Sequence, residues 1–263
     1  MKRILALVLA LMMLIAVCAG CGTDSDSDLA YVQDKGELVI GYTVYEPMNY
    51  TDKDGNFVGF DTEFAEAVCK ELGVEPKFQL IDWGMKVDEV QSKAIDCIWN
   101  GMTITDELKA AIDVSSPYAK NAQVIIIRAA DKDKYTTTES LKGAKIVAEG
   151  GSAGEKVIKA DDNLKEATFT PVTYQTDTLM EDKTGASDAA VVDITLAQNI
   201  VGEGTDYADL IFIENLELSK EEYGIGFRKD SDLCTKVNEI IEKFMTDGTL
   251  ADIAAKYNVA LAE

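Results

Sequence analysis

The feature that most constrains this chain is a short apolar run, residues 93–98, feeding directly into Trp99-Asn100-Gly101-Met102-Thr103-Ile104-Thr105-Asp106-Glu107-Leu108. A run this short reads as a buried parallel strand, and such strands occur where helices cover both faces of a sheet. The chain is therefore α/β, and in open α/β sheets ligands collect just beyond the carboxyl ends of the strands. Gly101 lets a ligand come close to the backbone there, and the Thr103 hydroxyl both donates and accepts.

The rest of the chain supplies the elements this arrangement needs. Residues 37–42 read as a strand, and Asp54-Gly55 as the tight pair of a hairpin turn. Gly59-Phe60-Asp61 opens a helix, with Asp61 as its N-cap, Phe64, Val68 and Leu72 at four-residue spacing, and Gly73 as its stop. Residues 77–81 form the next strand, with Trp83 after it. Residues 122–128 are a continuous apolar run, the candidate crossover to a second lobe, and residues 142–148 begin a fresh strand as if the βα scheme restarts. Residues 150–155 lead into a helix, and residues 189–192 are another buried strand ending at Asp193. Two helices, 233–245 and 250–257, close the chain and are broken at Asp247-Gly248.

At the N-terminus, Met1-Lys2-Arg3 precedes an apolar run that ends in Cys18-Ala19-Gly20-Cys21. The run is too short to read as a membrane span, so residues 1–20 are expected to be a signal peptide. The small residues before Cys21 resemble a lipobox, which implies a fatty-acylated (palmitate-type) Cys21 anchoring an extracytoplasmic protein to the cell membrane. Residues 21–33 are then expected as a lipidated, flexible tether, polar from Gly22 to Asp28. Asp24, Asp26 and Asp28 have the spacing of a calcium loop, but Leu29 and Lys35 stand where such a loop needs glycine and glutamate. No calcium site is expected.

With 25 basic against 47 acidic residues the net charge is −22, and loss of Lys2 and Arg3 leaves 23 against 47, or −24. Such a surface does not bind nucleic acid or anionic lipid through charge. Beyond Cys21 the cysteines are Cys69, Cys97 and Cys234, an odd number that argues against a disulfide framework and for small buried hydrophobes. The absence of histidine removes the ordinary Ser-His-Asp and Cys-His hydrolases and the commonest zinc ligand. Neither a G-x-G-x-x-G nor a phosphate-loop motif occurs, and no cofactor or metal is expected.

Several motifs, in order, resemble the type II periplasmic substrate-binding proteins, specifically the polar amino-acid receptors of ABC importers. They are Gly59-Phe60-Asp61 with Glu63-Phe64-Ala65, then Gly101-Met102-Thr103-Ile104-Thr105-Asp106-Glu107, then Ile112-Asp113-Val114-Ser115-Ser116-Pro117-Tyr118, and last Tyr223-Gly224-Ile225-Gly226-Phe227-Arg228-Lys229 as a return crossover. The resemblance covers residues 34–258. It implies two doubly wound α/β lobes joined by two crossover strands: residues 34–123 begin the first lobe, 124–222 form the second, and 223–263 return to the first. A small amino acid or related amine would bind in the interlobe cleft of a monomer and pass to ABC permease subunits.

The resemblance also implies a site. Tyr45 and Trp83 fall where aromatic rings sandwich the ligand side chain, or else they are buried interdomain aromatics. Gly101 and Thr103 fall where a carbonyl and a hydroxyl accept from the ligand ammonium. Gly151, Ser152 and Ala153 fall on a loop at a helix start whose free N–H groups bind a carboxylate, with Ser152 as the alternative cap of that helix. Asp193 falls on the aspartate that pairs with the ammonium, or it caps the helix after it. Tyr42, Asn100, Met102 and Leu108 complete the set. At Leu108 the family has an arginine clamping the ligand α-carboxylate, and leucine makes no such contact. Either the Ser152 loop alone holds the carboxylate, or Asn100 or Lys120 substitutes, or the ligand has no free carboxylate. Glu46 and Glu149 near the site favour a ligand with cationic character, or else they are solvated acids on an acidic protein. An enzyme on the same fold, of the cyclohexadienyl/prephenate dehydratase kind, and a ligand-sensing subunit are the alternatives.

Overall fold

The computed structural model describes residues 27–263, so the leader, Cys21, Asp24 and Asp26 lie outside the described residues. The Ser27 hydroxyl accepts from the Ala30 N–H and caps helix α1 (Asp28–Lys35), and left-handed Gly36 ends it. The tether expected through residue 33 is thus helical from residue 28. Buried Arg228 fixes this helix, with Nε donating to both Asp28 oxygens at 2.9 Å and Nη1 to the Ile95 carbonyl at 3.0 Å.

Strand β1 (Glu37–Tyr42) follows, then the hairpin β2 (Tyr50–Thr51) and β3 (Phe57–Val58), whose turn is closed by Asp52 Oδ1 accepting the Asp54 and Asn56 N–H groups. Helix α2 (Phe60–Leu72) starts without a side-chain cap at Gly59. Gly59 has φ 135°, and a Cβ there would sit 2.1 Å from the Met48 carbonyl oxygen, so only glycine allows the approach. Asp61, expected as the N-cap, is one residue into the helix and turns its carboxylate into the core. Strand β4 (Glu75–Leu80) and a 3₁₀ turn at Trp83–Met85 lead into helix α3 (Lys86–Gln91).

Strand β5 (Cys97–Thr103) continues through Trp99 to Thr103, so most of the expected ligand loop is the end of the strand itself. Helix α4 (Asp106–Ala111), short strand β6 (Asp113–Val114) and long β7 (Ala119–Arg128) come next. The second lobe carries β8 (Lys145–Glu149), α5 (Ala153–Ala160), β9 (Thr168–Val172), α6 (Gln175–Thr184), β10 (Ala189–Asp193) and α7 (Ile194–Ile200). Strand β11 (Leu210–Phe227) returns to the first lobe, which ends in α8 (Asp232–Asp247) and α9 (Thr249–Tyr257).

The main sheet runs β4-β1-β5-β11-β7-β10-β8-β9. Strands β4, β1 and β5 are parallel in the first lobe, as are β10, β8 and β9 in the second. Between them β7 and β11 lie antiparallel to each other, and each pairs onward into one lobe. This is the fold of the type II periplasmic binding proteins: two parallel half-sheets joined by two crossovers. The largest cluster of buried side chains is continuous across both lobes, from Leu38, Phe64 and Trp99 through Val124 and Ile126 to Val147, Leu179 and Val192, and a second-lobe cluster holds Ile125, Ile146, Ala148, Ile158 and Val191. A further first-lobe cluster holds Val39, Ile98, Met102, Leu108 and Trp83. Cys69, Cys97 and Cys234 are buried free thiols, and burial pushes Cys69 up to about 12 and Cys234 up to about 11.

Candidate functional site

The carboxyl ends of β5, β8 and β10 converge on one cleft between the lobes, of about 440 Å³ of empty space with its open mouth included. From the first lobe it is lined by Trp83, Lys86, Asn100, Gly101, Met102, Thr103, Thr105 and Leu108. The second lobe contributes Glu149, Gly151, Ser152, Ala153, Lys156, Gln175 and Asp193. Ten of the residues implied from sequence are therefore brought together.

Asp193 ends β10 because the buried run Ala189–Asp193 stops at the cleft. It makes no side-chain cap to α7. Instead Oδ1 accepts from Asn121 Nδ2 and Gln123 Nε2 at 2.5 Å each, and Oδ2 accepts from Gln175 Nε2. Gln175 Oε1 also takes the Asp193 N–H at 3.1 Å, fixing backbone and side chain together. Glu221 Oε2 draws on the same amides, Asn121 at 3.1 Å and Gln123 at 3.0 Å, and accepts the Thr103 hydroxyl at 2.9 Å. The hydroxyl's donor is thus spent and its lone pairs face outward as acceptors. Burial first, and then the Glu221 charge, push the Asp193 carboxyl above its usual range; the amides partly offset them.

Glu149 ends β8 and is 3% exposed, with Oε1 lacking any hydrogen-bond partner. Burial raises its carboxyl to about 8, helped by Asp193 and opposed by the Thr43 hydroxyl and Lys86. Beyond it Gly151 has φ 73°, a conformation glycine adopts without strain. Ser152 Oγ accepts the Glu155 N–H at 3.2 Å, so Ser152 does cap α5. The cap uses the Glu155 N–H, and Ser152 and Ala153 at the start of α5 line the cleft.

In the first lobe, Gly101 is held from beneath. Its N–H donates to Asp61 Oδ2 at 2.7 Å, and the same carboxylate accepts Tyr118 Oη at 3.0 Å and Trp99 Nε1 at 3.2 Å. Burial outweighs these bonds and lifts Asp61 to about 7. Asn100 spends its amide on structure: Oδ1 accepts the Thr43 N–H and hydroxyl, and Nδ2 donates to the Thr43 carbonyl and Asn49 Oδ1. Leu108 packs against the Trp83 and Met102 cluster and is 7% exposed.

Three contacts join the lobes across the mouth. Lys86 Nζ donates to the Trp83 and Gly151 carbonyls at 3.0 Å each, 4.7 Å from the Trp83 ring centroid. Burial, then repulsion from Lys156, lower its ammonium to about 8. Lys156 pairs with Glu107. A Cβ on Gly151 would meet Gly84 Cα at 2.7 Å, so the two backbones touch.

Four residues considered from sequence lie elsewhere. Tyr45 is 1% exposed behind Gly101, its hydroxyl sharing a 2.7 Å hydrogen bond with Tyr223, and Tyr42 packs edge-on against Phe57 and Phe78. Lys120 pairs with Glu263 at 2.7 Å on the surface, and Glu46 is not among the cleft residues. Sequence reading missed Lys86, Lys156, Gln175, Asn121, Gln123 and Glu221. A signal existed for two of them: Asn121 and Gln123 alternate with apolar residues at the start of β7, the period that points both to one face.

The description "Bacterial extracellular solute-binding proteins, family 3" matches residues 38–260. The L-cystine-binding protein TcyJ of Escherichia coli (strain K12) is 30% identical over 253 residues, covering 93% of this chain and 92% of that protein. The P235GK mutant of ArgBP from T. maritima superposes with a TM-score of 0.81 at 30% identity, over 88% of this chain and 98% of that one. An ancestral amino acid-binding protein, AncCDT-1, described as a precursor of cyclohexadienyl dehydratase, superposes with a TM-score of 0.79 at 28% identity, over 88% and 99%. With the family description covering most of the chain and both crossovers in place, this protein belongs to the bacterial extracellular solute-binding proteins of family 3.

Proposed function

We propose that this protein is the receptor of an ABC importer, closing its two lobes on one amino acid or amino-acid-like ligand and handing it to the permease. The observation that carries the reading is Asp193, a buried carboxylate oriented by three side-chain amides at the wall of an interlobe cleft. Such a group offers an ammonium a fixed anion in a low-dielectric site. Relatives named for cystine and arginine support the amino-acid class.

In this reading the α-ammonium sits between Asp193 and the acceptors of Thr103 and Gly101. The carboxylate faces the α5 N-terminus at Ser152 and Ala153, with Lys86 and Lys156 supplying the positive charge that Leu108 lacks. Trp83 covers the aliphatic part of the ligand, and Tyr45 backs Gly101 from behind. The lobes divide at the crossovers near residues 123 and 223. The cleft does no chemistry, in keeping with relatives named as binding proteins. The signal-peptide pattern and the small residues before Cys21 support a lipid anchor there.

A thermal-shift series with amino acids, their amides and decarboxylated amines tests the binding, since a ligand that binds only the folded state raises Tm by mass action. Stabilisation by free amino acids above amides is expected. No shift with any of them overturns the receptor reading, and a ligand returned chemically altered overturns the absence of catalysis. Mass spectrometry of the protein from a bacterial membrane, with a Cys21→Ser form released to the medium, tests the anchor.

A further inference from the structure

We infer that Glu221 is a positioning residue of the ammonium site: from the return crossover it holds the Thr103 hydroxyl as a pure acceptor toward the cleft. The inference rests on the receptor reading above and adds a residue that acts on the ligand without touching it. Glu221 is not among the cleft residues; it lines a separate groove with Lys120, Asn121 and Lys220. Thr103, which it bonds, does line the cleft.

Strand register brings its partners together. Glu221 stands opposite Asn121 on β7, Ser219 opposite Gln123, and Tyr223 opposite Thr103 on β5. Residues two apart share one face of a strand, so these side chains gather around Glu221. Its Oε2 accepts the Thr103 hydroxyl at 2.9 Å and the Asn121 and Gln123 amides at 3.1 and 3.0 Å. Its Oε1 accepts the Ser219 hydroxyl at 2.7 Å.

A hydroxyl has one hydrogen, and a carboxylate can only accept. The Thr103 hydrogen therefore stays on Glu221, and Oγ1 presents only lone pairs to the cleft. An ammonium, which can only donate, meets a fixed acceptor there; a freely turning hydroxyl would aim its hydrogen at the cation for part of the time. Glu221 also shares two amides with Asp193, whose Oδ1 takes the same Asn121 and Gln123 nitrogens at 2.5 Å each. One side chain on the crossover thus links the hydroxyl from β5 to the amides that orient the carboxylate of β10.

Isothermal titration tests this, the probe being whichever of the common amino acids or cystine gives the largest thermal shift. Glu221→Leu removes the acceptor, and affinity should fall at least about tenfold, the size of one hydrogen bond to a charged group. Glu221→Gln should stay within about 3-fold of wild type. The Asn121 and Gln123 donors keep the glutamine oxygen on the Thr103 side, and the Ser219 hydroxyl can turn to accept from its amide. Loss of the Glu221 charge is offset there by relief of its repulsion on Asp193. In a Thr103→Val background, Glu221→Leu should cost less than about 3-fold, because the hydroxyl it acts through is gone. A merely structural Glu221 would give a similar loss in both backgrounds, and that result overturns the inference. So does Glu221→Leu binding within about 3-fold of wild type, or Glu221→Gln losing as much as Glu221→Leu; either leaves the receptor reading standing. Should Glu221→Leu fail to fold, Glu221→Ala carries the same comparisons, since the water it admits donates as readily as it accepts. No thermal shift with any amino acid overturns the receptor reading and this inference with it.

Discussion

Asp193→Asn separates the two jobs of that carboxylate. In the folded protein Asp193 accepts three side-chain amide donors, from Asn121, Gln123 and Gln175. An asparagine amide is a donor on one side, so whichever way it flips at least one donor faces another; Gln175 cannot flip to rescue it without losing the Asp193 N–H at 3.1 Å. One unsatisfied buried donor costs about 1–3 kcal/mol. Against this, the substitution removes a carboxylate that burial and Glu221 push above its usual range, a penalty of the same order at neutral pH. The two nearly cancel, so urea unfolding of the ligand-free protein at pH 7 should change by less than about 2 kcal/mol. Ligand binding has no such compensation: a buried ammonium loses its anion, at roughly 3–5 kcal/mol, or about 10²–10⁴ in affinity. Calorimetric titration beside the unfolding curve reads both numbers. An affinity within about 3-fold of wild type would refute the pairing of Asp193 with the ligand ammonium.

Gly151→Ala places a Cβ 2.7 Å from Gly84 Cα on the opposite lobe, at a φ of 73° that strains alanine. The cost to the fold should be about 1–2 kcal/mol. Closure should suffer more, seen as at least about tenfold weaker binding and a radius of gyration by X-ray scattering that stays large at saturating ligand. Asp61→Ala leaves the Gly101, Trp99 and Tyr118 donors without their acceptor. At pH 5.5, where a carboxyl raised to about 7 is protonated and no buried charge is relieved, it should cost about 3–6 kcal/mol in urea unfolding; less than about 1 kcal/mol would mean the triad is not what holds Gly101. Without ligand, wild-type Tm should fall as pH rises from 5 to 8. The folded state holds protons on Asp61 up to about 7 and on Glu149 up to about 8 that the unfolded chain has already released, so stability drops through that window. Glu149→Gln should flatten the slope, and an unchanged slope would remove Glu149 as its source.

Much of this fold is legible in the sequence, because short apolar runs bounded by glycine and polar residues report strands whatever they pack against. The run ending at Asp193 and the run ending in Asn100-Gly101-Met102-Thr103 give the positions of two strand ends, and the ligand cleft follows from the architecture. Side-chain destinations are less legible. Asp61 has the composition of an N-cap, and only the tertiary fold shows its carboxylate beneath Gly101, 40 positions away. Asn100 looks free at a strand end until Thr43 and Asn49 arrive from another segment. The amides that orient Asp193 come from as far as 72 positions away, so no local pattern joins them. Helix α1 was hidden because its capping serine sits at the edge of a polar Asp/Ser run, and its anchor, Arg228, is 200 positions off.

The position of Leu108 shows how one site can move its charge. An arginine at this place, as the resemblance implies for related receptors, would clamp the ligand α-carboxylate from the first lobe. Here leucine joins the apolar cluster under Trp83, and the cationic groups at the cleft are Lys86 and Lys156. Each of these lysines spans the mouth, Lys86 from the first lobe to the Gly151 carbonyl and Lys156 from the second to Glu107. Their charges are therefore delivered to the cleft by closure itself. In the proposed reading a carboxylate in the cleft would meet both lysines where they also contact the opposite lobe. On that reading recognition of the carboxylate and stabilisation of the closed form would be one interaction, because a ligand can shift a two-state equilibrium only by its difference in affinity for the two states, and these lysines would supply that difference.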